Sequence, residues 1–274
     1  MYRKLIYLLS VQVSLILNGQ EKALDGLLSD SSMYGASMSL SIIDAGTYEP
    51  VFEYNPFTSL MPASTMKLFT TSASLELLGP EYIFTTKLAY SGNLNKKSGR
   101  LDGDIVLTGG GDPALGSLYF TKHYGDLINR WITEIRKAGI REISGDIIVD
   151  DSRYDYEPVP SKWLWEDIGN YYGAGVYGLS VFDNTYEIHL KTSVSGTVPQ
   201  ITGIAPAGLS VELTNRLIAE GDTDNGYVYS APLSDKGWMS GTVPVNRNDF
   251  VLRASIPDPP LLLATMLRNR LDSS

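Results

Sequence analysis

The chain has 274 residues, 43% hydrophobic and 19% charged, a balance that suits one or two folded domains and excludes bulk disorder. A net charge of -9 and a pI near 4.8 argue against a nucleic-acid binder, which would carry a basic face. The absence of cysteine removes thiol nucleophiles, thiolate metal sites and a lipoprotein anchor, and leaves the compartment open.

The first twenty residues, "MYRKLIYLLSVQVSLILNGQ", place Arg3 and Lys4 before an apolar core from Leu5 to Leu17. That core is short for a membrane span and suits the centre of an export signal over residues 1–19. Gly19 is small, as a cleavage site requires, but Leu17 two positions earlier is not. A buried or membrane-anchoring N-terminal helix is the alternative, and with it a peripheral association with the membrane.

Downstream, "EKALDGLLSD" (21–30) has helical spacing, and "ASMSLSIIDA" (36–45) with "VFEYN" (51–55) reads as an antiparallel hairpin. "STMKLFTTSASLELLG" is the first strong helix, stopped by Gly79-Pro80. "IFTTKLAYSG" and "GRLDGDIVLTG" read as strands around a polar loop, "NLNKKS". "FTKHYGDLINRWITEIRKAGI" reads as one amphipathic helix and "EISGDIIVDDS" as one strand. "YVYSAPL", "WMSGTVPV" and "DFVLRASI" follow as short strands, and prolines open a last helix, "PPLLLATMLRNRLDSS". Helix-bearing segments thus flank a long strand-rich middle, which looks inserted between two pieces of one domain.

The stretch "MPASTMKLFTTSASLELLG" carries the chemistry. A serine hydroxyl needs a base within hydrogen-bond reach to become a nucleophile. Positions i and i+3 share a helix face, so Lys67 can aim its amine at the oxygen of Ser64. Burial would disfavour the ammonium and free the amine to act as a base, and the helix N-terminus would favour an alkoxide. Against this stands the plainer reading of Ser64 as an N-cap and Lys67 as a solvated charge, since an isolated S-x-x-K is common. The context favours chemistry: the pair opens a helix, follows a hairpin and precedes an apolar run.

Rival sites are weaker. His123 and His189 are the only histidines, and no nucleophile elbow accompanies them. "GGGDPALG" (109–116) lacks the Gly-Lys-Ser/Thr ending of a phosphate loop and reads as a turn. "DTDNG" (222–226) opens like a calcium loop without its distal glutamate, and Asn225-Gly226 reads as a hairpin turn. "YDYEPVPSKWLWED" reads as aromatic packing under a loop, with the lining of a cleft as the alternative.

"YNPFTSLMPASTMKLFTTSASLELLGPEYIFTTKL" resembles the active-serine region of penicillin-recognising D-Ala-D-Ala carboxypeptidases. Within them it is most similar to the class C low-molecular-mass penicillin-binding proteins, which carry a large insertion after the serine helix. "GDIVLTGGGDPAL", "ISGDIIVDDSRYD", "WLWEDIGNYYGAGVYGLSVFDNTYEIHL" and "ASIPDPPLLLATML" resemble that class in the same order. The resemblance implies an α+β fold: an incomplete penicillin-binding, β-lactamase-like transpeptidase domain with an inserted strand-rich region. The implied divisions are a signal at 1–19, a transpeptidase-like part at 20–88, the insertion at 89–249, and a return helix at 250–274.

It further implies an exported, periplasmic serine enzyme acting on peptidoglycan stem peptides, as carboxypeptidase or endopeptidase. Ser64 would attack and be acylated, Lys67 would be the base, and β-lactams would acylate the same serine. No metal or organic cofactor and no nucleic acid is implied. An acidic residue near "IIVDDS" would reach toward the substrate, Asp150 or the adjacent Asp151. The family's Ser-x-Asn and Lys-Thr-Gly elements are expected after the insertion, beyond Ser274. Ser91-Gly92-Asn93 and Lys97-Ser98-Gly99 fit their patterns, but one short loop cannot place both across a cleft. The chain is therefore expected to be a truncated product, a fragment or one piece of a split protein. Labelling by penicillin is expected to be weak at most, and a non-catalytic cell-wall or protein-binding remnant is the rival reading.

Overall fold

The computed structural model describes residues 22–273, so the expected export signal lies outside the described residues. The backbone divides after Tyr82 into two compact units.

The first unit opens with a helix over 22–28 (α1). Strands β1 (Leu40–Ile43) and β2 (Pro50–Tyr54) then pair antiparallel, with Leu40 opposite Tyr54 and Ile42 opposite Phe52. Asp44 closes the connection by accepting the N–H groups of Gly46 and Thr47, each at 2.8 Å. Those bonds hold its carboxyl below the usual aspartate range. Helix α2 (Met66–Leu78) follows and is stopped at Gly79, whose φ of 80° a side chain would resist. The sequence suggested an apolar run along α2. Its apolar residues surround the axis, and Leu68, Phe69 and Leu77 are 69%, 70% and 82% exposed. No described residue of this unit is buried.

The second unit holds one continuous apolar core. Strands β3 (Lys87–Tyr90), β6 (Ile105–Thr108) and β8 (Ile147–Asp150) form a sheet in the order β3-β6-β8, with β6 and β8 parallel. Strands β4 (Asn93–Asn95), β5 (Arg100–Asp102) and β7 (Glu142–Ile143) form a second sheet in the order β4-β5-β7. The segments "GRLDGDIVLTG" and "EISGDIIVDDS", each expected to be a single strand, are therefore split, and the expected loop at 93–98 begins with β4.

Glycines cause the splits. A Cβ on Gly103 would fall 1.9 Å from the Ser91 carbonyl oxygen, one on Gly92 2.2 Å from that of Asp102, and one on Gly145 2.4 Å from that of Gly103. All three ribbons bend at this layer, and pairing continues through it, with Ser91 N–H donating to Asp104 O at 2.9 Å and Gly145 N–H to Gly103 O at 3.1 Å.

The helix expected over 120–140 breaks at Gly125, whose φ is 54°. The result is α3 (Thr121–Tyr124) and α4 (Leu127–Lys137), the latter capped by Asp126 through the Asn129 N–H. Leu127, Ile128, Ile132 and Ile135 face the core, four positions on one stripe of α4.

Beyond a short helix α5 (Trp165–Ile168), strands β9 (Thr185–Lys191), β10 (Gln200–Ala205) and β14 (Phe250–Ser255) form an antiparallel sheet in the order β10-β9-β14. Strands β11 (Glu212–Ala219), β12 (Asn225–Ser230) and β13 (Lys236–Val243) form another in the order β11-β13-β12. Because β11 runs parallel to β13, β11 and β12 are not a hairpin. Asn225 and Gly226 are paired strand residues, opposite Thr242 and Gly241, and not the turn the sequence suggested.

Helix α6 (Pro259–Asp272) packs on α4 and β8 and buries Leu262, Leu263 and Leu267. Residues 250–274, assigned from the sequence to a return toward the serine-bearing piece, here contribute β14 and α6 to the second unit. Asp258 caps α6 by accepting the Leu261 N–H at 2.9 Å. Burial, helped by the nearby Asp151 carboxylate, raises its pKa against that bond. The folded state therefore keeps this proton to higher pH than the unfolded chain does. As pH rises from the unfolded pKa through the raised folded one, the native state loses stability. Asp258→Asn keeps a capping acceptor and cannot ionise. The Tm of the native chain is expected to fall relative to this variant across that window, read as paired thermal melts over a pH series.

Candidate active site

The backbone before α2 is wound tightly. Pro62 is helical at φ -74°, and Ala63 takes a left-handed φ of 45°, uncommon for a residue with a side chain. Ala63–Thr65 then form one 3-10 turn, in which the Thr65 N–H donates to Pro62 O at 3.0 Å and the Thr65 hydroxyl bonds the same carbonyl. Met66 N–H closes the turn onto Ala63 O and Ser64 O, and α2 continues from there.

This winding answers the question the sequence left open. The N-cap position of α2 is Thr65, and no side chain caps there. Ser64 is not a capping serine. Its Oγ instead accepts a hydrogen bond from Lys67 Nζ at 3.1 Å. One turn of helix separates the two residues, as the i and i+3 argument requires. At that distance a proton can pass from the hydroxyl to a neutral amine without rearrangement of the backbone. The sequence argument also required Lys67 to be buried. Lys67 and Ser64 are both exposed here, so the described residues do not supply that desolvation.

Asp150 lies in the second unit, at the end of β8. It accepts from Ser152 twice, from Oγ at 2.6 Å and from N at 3.1 Å. These bonds hold its carboxyl below the usual range and make it the anchor of the turn that follows β8. Asp151 instead borders a small cavity with Tyr156, Tyr177 and Leu233. His189 on β9 is engaged through Nδ1 with Asp249 at 2.8 Å and sits 3.8 Å from Glu187. His123 lies on α3, where its ring meets Tyr124 edge-on.

The glycine-rich "GGGDPALG" is a turn, as its sequence suggested: Asp112 accepts from Ala114 N–H at 2.9 Å and from the Tyr124 hydroxyl at 2.5 Å. Lys97 lies in the turn of the β4–β5 hairpin, while Ser91 precedes β4 at the bend, where its Oγ donates to Asp104 at 3.2 Å. Among the described residues, no group of three or more histidine, aspartate or glutamate side chains is placed to hold a metal ion. None of the described helices is long and apolar enough to cross a membrane.

Residues 20–274 match the D-Ala-D-Ala carboxypeptidase 3 (S13) family. The chain is 26% identical over 259 residues to a D-alanyl-D-alanine carboxypeptidase of Actinomadura sp. (strain R39), covering 92% of this chain and 46% of that protein. It is 28% identical over 145 residues to the D-alanyl-D-alanine carboxypeptidase DacB of Haemophilus influenzae, covering 52% of this chain and 28% of that one. In fold it is similar to the crystal structure of penicillin binding protein 4 (dacB) from Haemophilus influenzae. That likeness has a TM-score of 0.69 at 22% identity, over 85% of this chain and 50% of the other. The same protein complexed with a β-lactam gives a TM-score of 0.60 at 20% identity, over 86% and 48% of the two chains. The α+β fold expected from the sequence agrees with these likenesses. The chain spans about half the length of the fullest of these matches, 46% and 50%.

Proposed function

Because the chain belongs to the D-Ala-D-Ala carboxypeptidase 3 (S13) family, we propose that it carries the nucleophilic centre of a serine-type D-Ala-D-Ala carboxypeptidase or endopeptidase. The reading rests above all on the 3.1 Å contact between Lys67 Nζ and Ser64 Oγ, at a serine that caps nothing. Lys67, as the neutral amine, takes the hydroxyl proton while Ser64 Oγ bonds to the carbonyl carbon of the penultimate D-alanine. The C–N bond to the terminal D-alanine breaks, and its amine leaves with a proton relayed from Lys67. Water then hydrolyses the ester and restores Ser64.

The substrates are peptidoglycan stem peptides, met outside the cytoplasmic membrane in the periplasm, and β-lactams acylate the same oxygen. Asp150, or its neighbour Asp151, serves as the acidic contact for the stem peptide. Intact-mass spectrometry after long incubation with benzylpenicillin, followed by peptide mapping, tests the assignment. The adduct is expected slowly and only on the peptide that carries Ser64. An adduct that maps elsewhere, or none at all, counts against it and leaves the non-catalytic wall-binding reading.

A further inference from the structure

The outward face of the sheet β11-β13-β12 is unlike the rest of the surface. Tyr229 on β12 and Trp238 on β13 are directly opposite and stack at 5.1 Å with 9° between their rings. Trp165 on α5 extends this pair on one side, 6.2 Å from Trp238, and Tyr227 on the other, 6.4 Å from Tyr229. Tyr171 meets Tyr172 edge-on at 5.2 Å, and the Asp167 carboxylate acts on the Tyr172 phenol. Burial first, and Asp167 second, push the Tyr172 phenol up to about 12, so it stays a neutral hydroxyl across the physiological range.

The alternation of the strands explains the face. Val228 and Met239 point into the core, which turns Tyr227, Tyr229 and Trp238 outward. Half-buried Tyr229 and Trp238 fix the centre, while Tyr227 and Trp165 remain 38% and 48% exposed. Around them the outward positions carry the hydroxyls of Thr214, Ser240 and Thr242, with Arg216 opposite Ser240 and Lys236 at 4.0 Å from Glu212 toward the strand ends, and the adjacent helix carries Glu166 and Asp167.

We propose that this aromatic belt binds a neutral, β-linked amino-sugar chain of the glycan-strand type. The belt itself is independent of the active-site reading, and only the choice of sugar rests on that reading. Aromatic faces are electron-rich and meet the weakly positive C–H bonds on the flat faces of pyranose rings. Glu166 and Asp167 are acceptors only, matched to hydroxyl and N-acetyl amide donors. A nucleic-acid platform would pair its aromatics with a basic groove, whereas here the outward strand positions carry two cations, Arg216 and Lys236, the latter 4.0 Å from Glu212, beside Glu166 and Asp167 in a chain of charge -9. The same charge disfavours an anionic membrane surface.

Titration of the full chain with N-acetylglucosamine hexamer, followed by calorimetry and tryptophan fluorescence, is the test. Saturable binding is expected, weakened about tenfold or more in both Trp165→Ala and Tyr227→Ala, and unchanged in Tyr119→Ala, whose ring is 83% exposed outside the belt. Both belt side chains are partly exposed, and near-UV circular dichroism checks that the variants keep their fold. No saturable binding, or binding that survives both belt substitutions, overturns the proposal. So does a concentration-dependent dimer that the substitutions abolish without any sugar binding, which would assign the face to a second copy. Ser64→Ala is expected to bind the hexamer normally, so a failed belt and a failed active site give separate results.

Discussion

Any covalent label that a fluorescent penicillin leaves on this chain is expected to vanish in Ser64→Ala and to form about 100- to 10,000-fold more slowly in Lys67→Ala. The two substitutions remove different things. Ser64→Ala deletes the atom that forms the bond. Lys67→Ala leaves Ser64 Oγ in its 3-10 turn, held by backbone bonds that do not involve the lysine, and removes only the amine 3.1 Å away. Arginine at position 67 keeps a cation near the oxygen but cannot give up its proton in water, so it is expected to be as slow as alanine. Gel fluorescence over a time course reads all three. Equal labelling of the Lys67 variants and the native chain would mean that the observed contact does no chemistry. A rescue by arginine would mean that it acts as a fixed charge and not as a base.

The second large effect is on stability. Leu263→Ala is expected to cost about 2–5 kcal/mol in urea unfolding of the second unit, because its side chain is fully buried among α4, α6 and β8. Leu77→Ala, on a helix apolar all round but 82% exposed, is expected to move stability by no more than about 0.5 kcal/mol. Leucine content alone would rank these two helices alike. A comparable loss from both substitutions would show that α2 is covered in solution.

How much of this was legible depended on the range of the forces involved. The pairing of Ser64 with Lys67 was, because helical spacing is local and three residues fix it. The hairpin of β1 and β2 was also, from alternation and a turn. The prolines at 259 and 260 placed the start of α6 within a residue of the structure, whereas the start of α4 after Asp126 was hidden by a helical pattern that runs through Gly125. The strand breaks at Gly103 and Gly145 were not legible, because what forbids a side chain there is the backbone of Ser91 or Gly103, contributed by another ribbon. The same holds for Asn225-Gly226, whose strand partner is β13 and not the neighbouring β11. The aromatic belt needs Trp165, Tyr229 and Trp238 together, from three separate elements, and nothing in "YVYSAPL" or "WMSGTVPV" alone announces that they meet. The exposure of Lys67 was missed for the opposite reason: the chemistry demanded burial, and spacing says nothing about what lies above a helix.

The aligned bends at Gly92, Gly103 and Gly145 have a mechanical meaning. Each of the three ribbons is covalently continuous from one sheet into the next, and the ladder bonds run unbroken across the fold line. The two sheets are thus a single creased sheet, whose halves cannot slide past one another in register. Loss of pairing on one side leaves the other without its edge, so this part of the molecule melts as one piece instead of two.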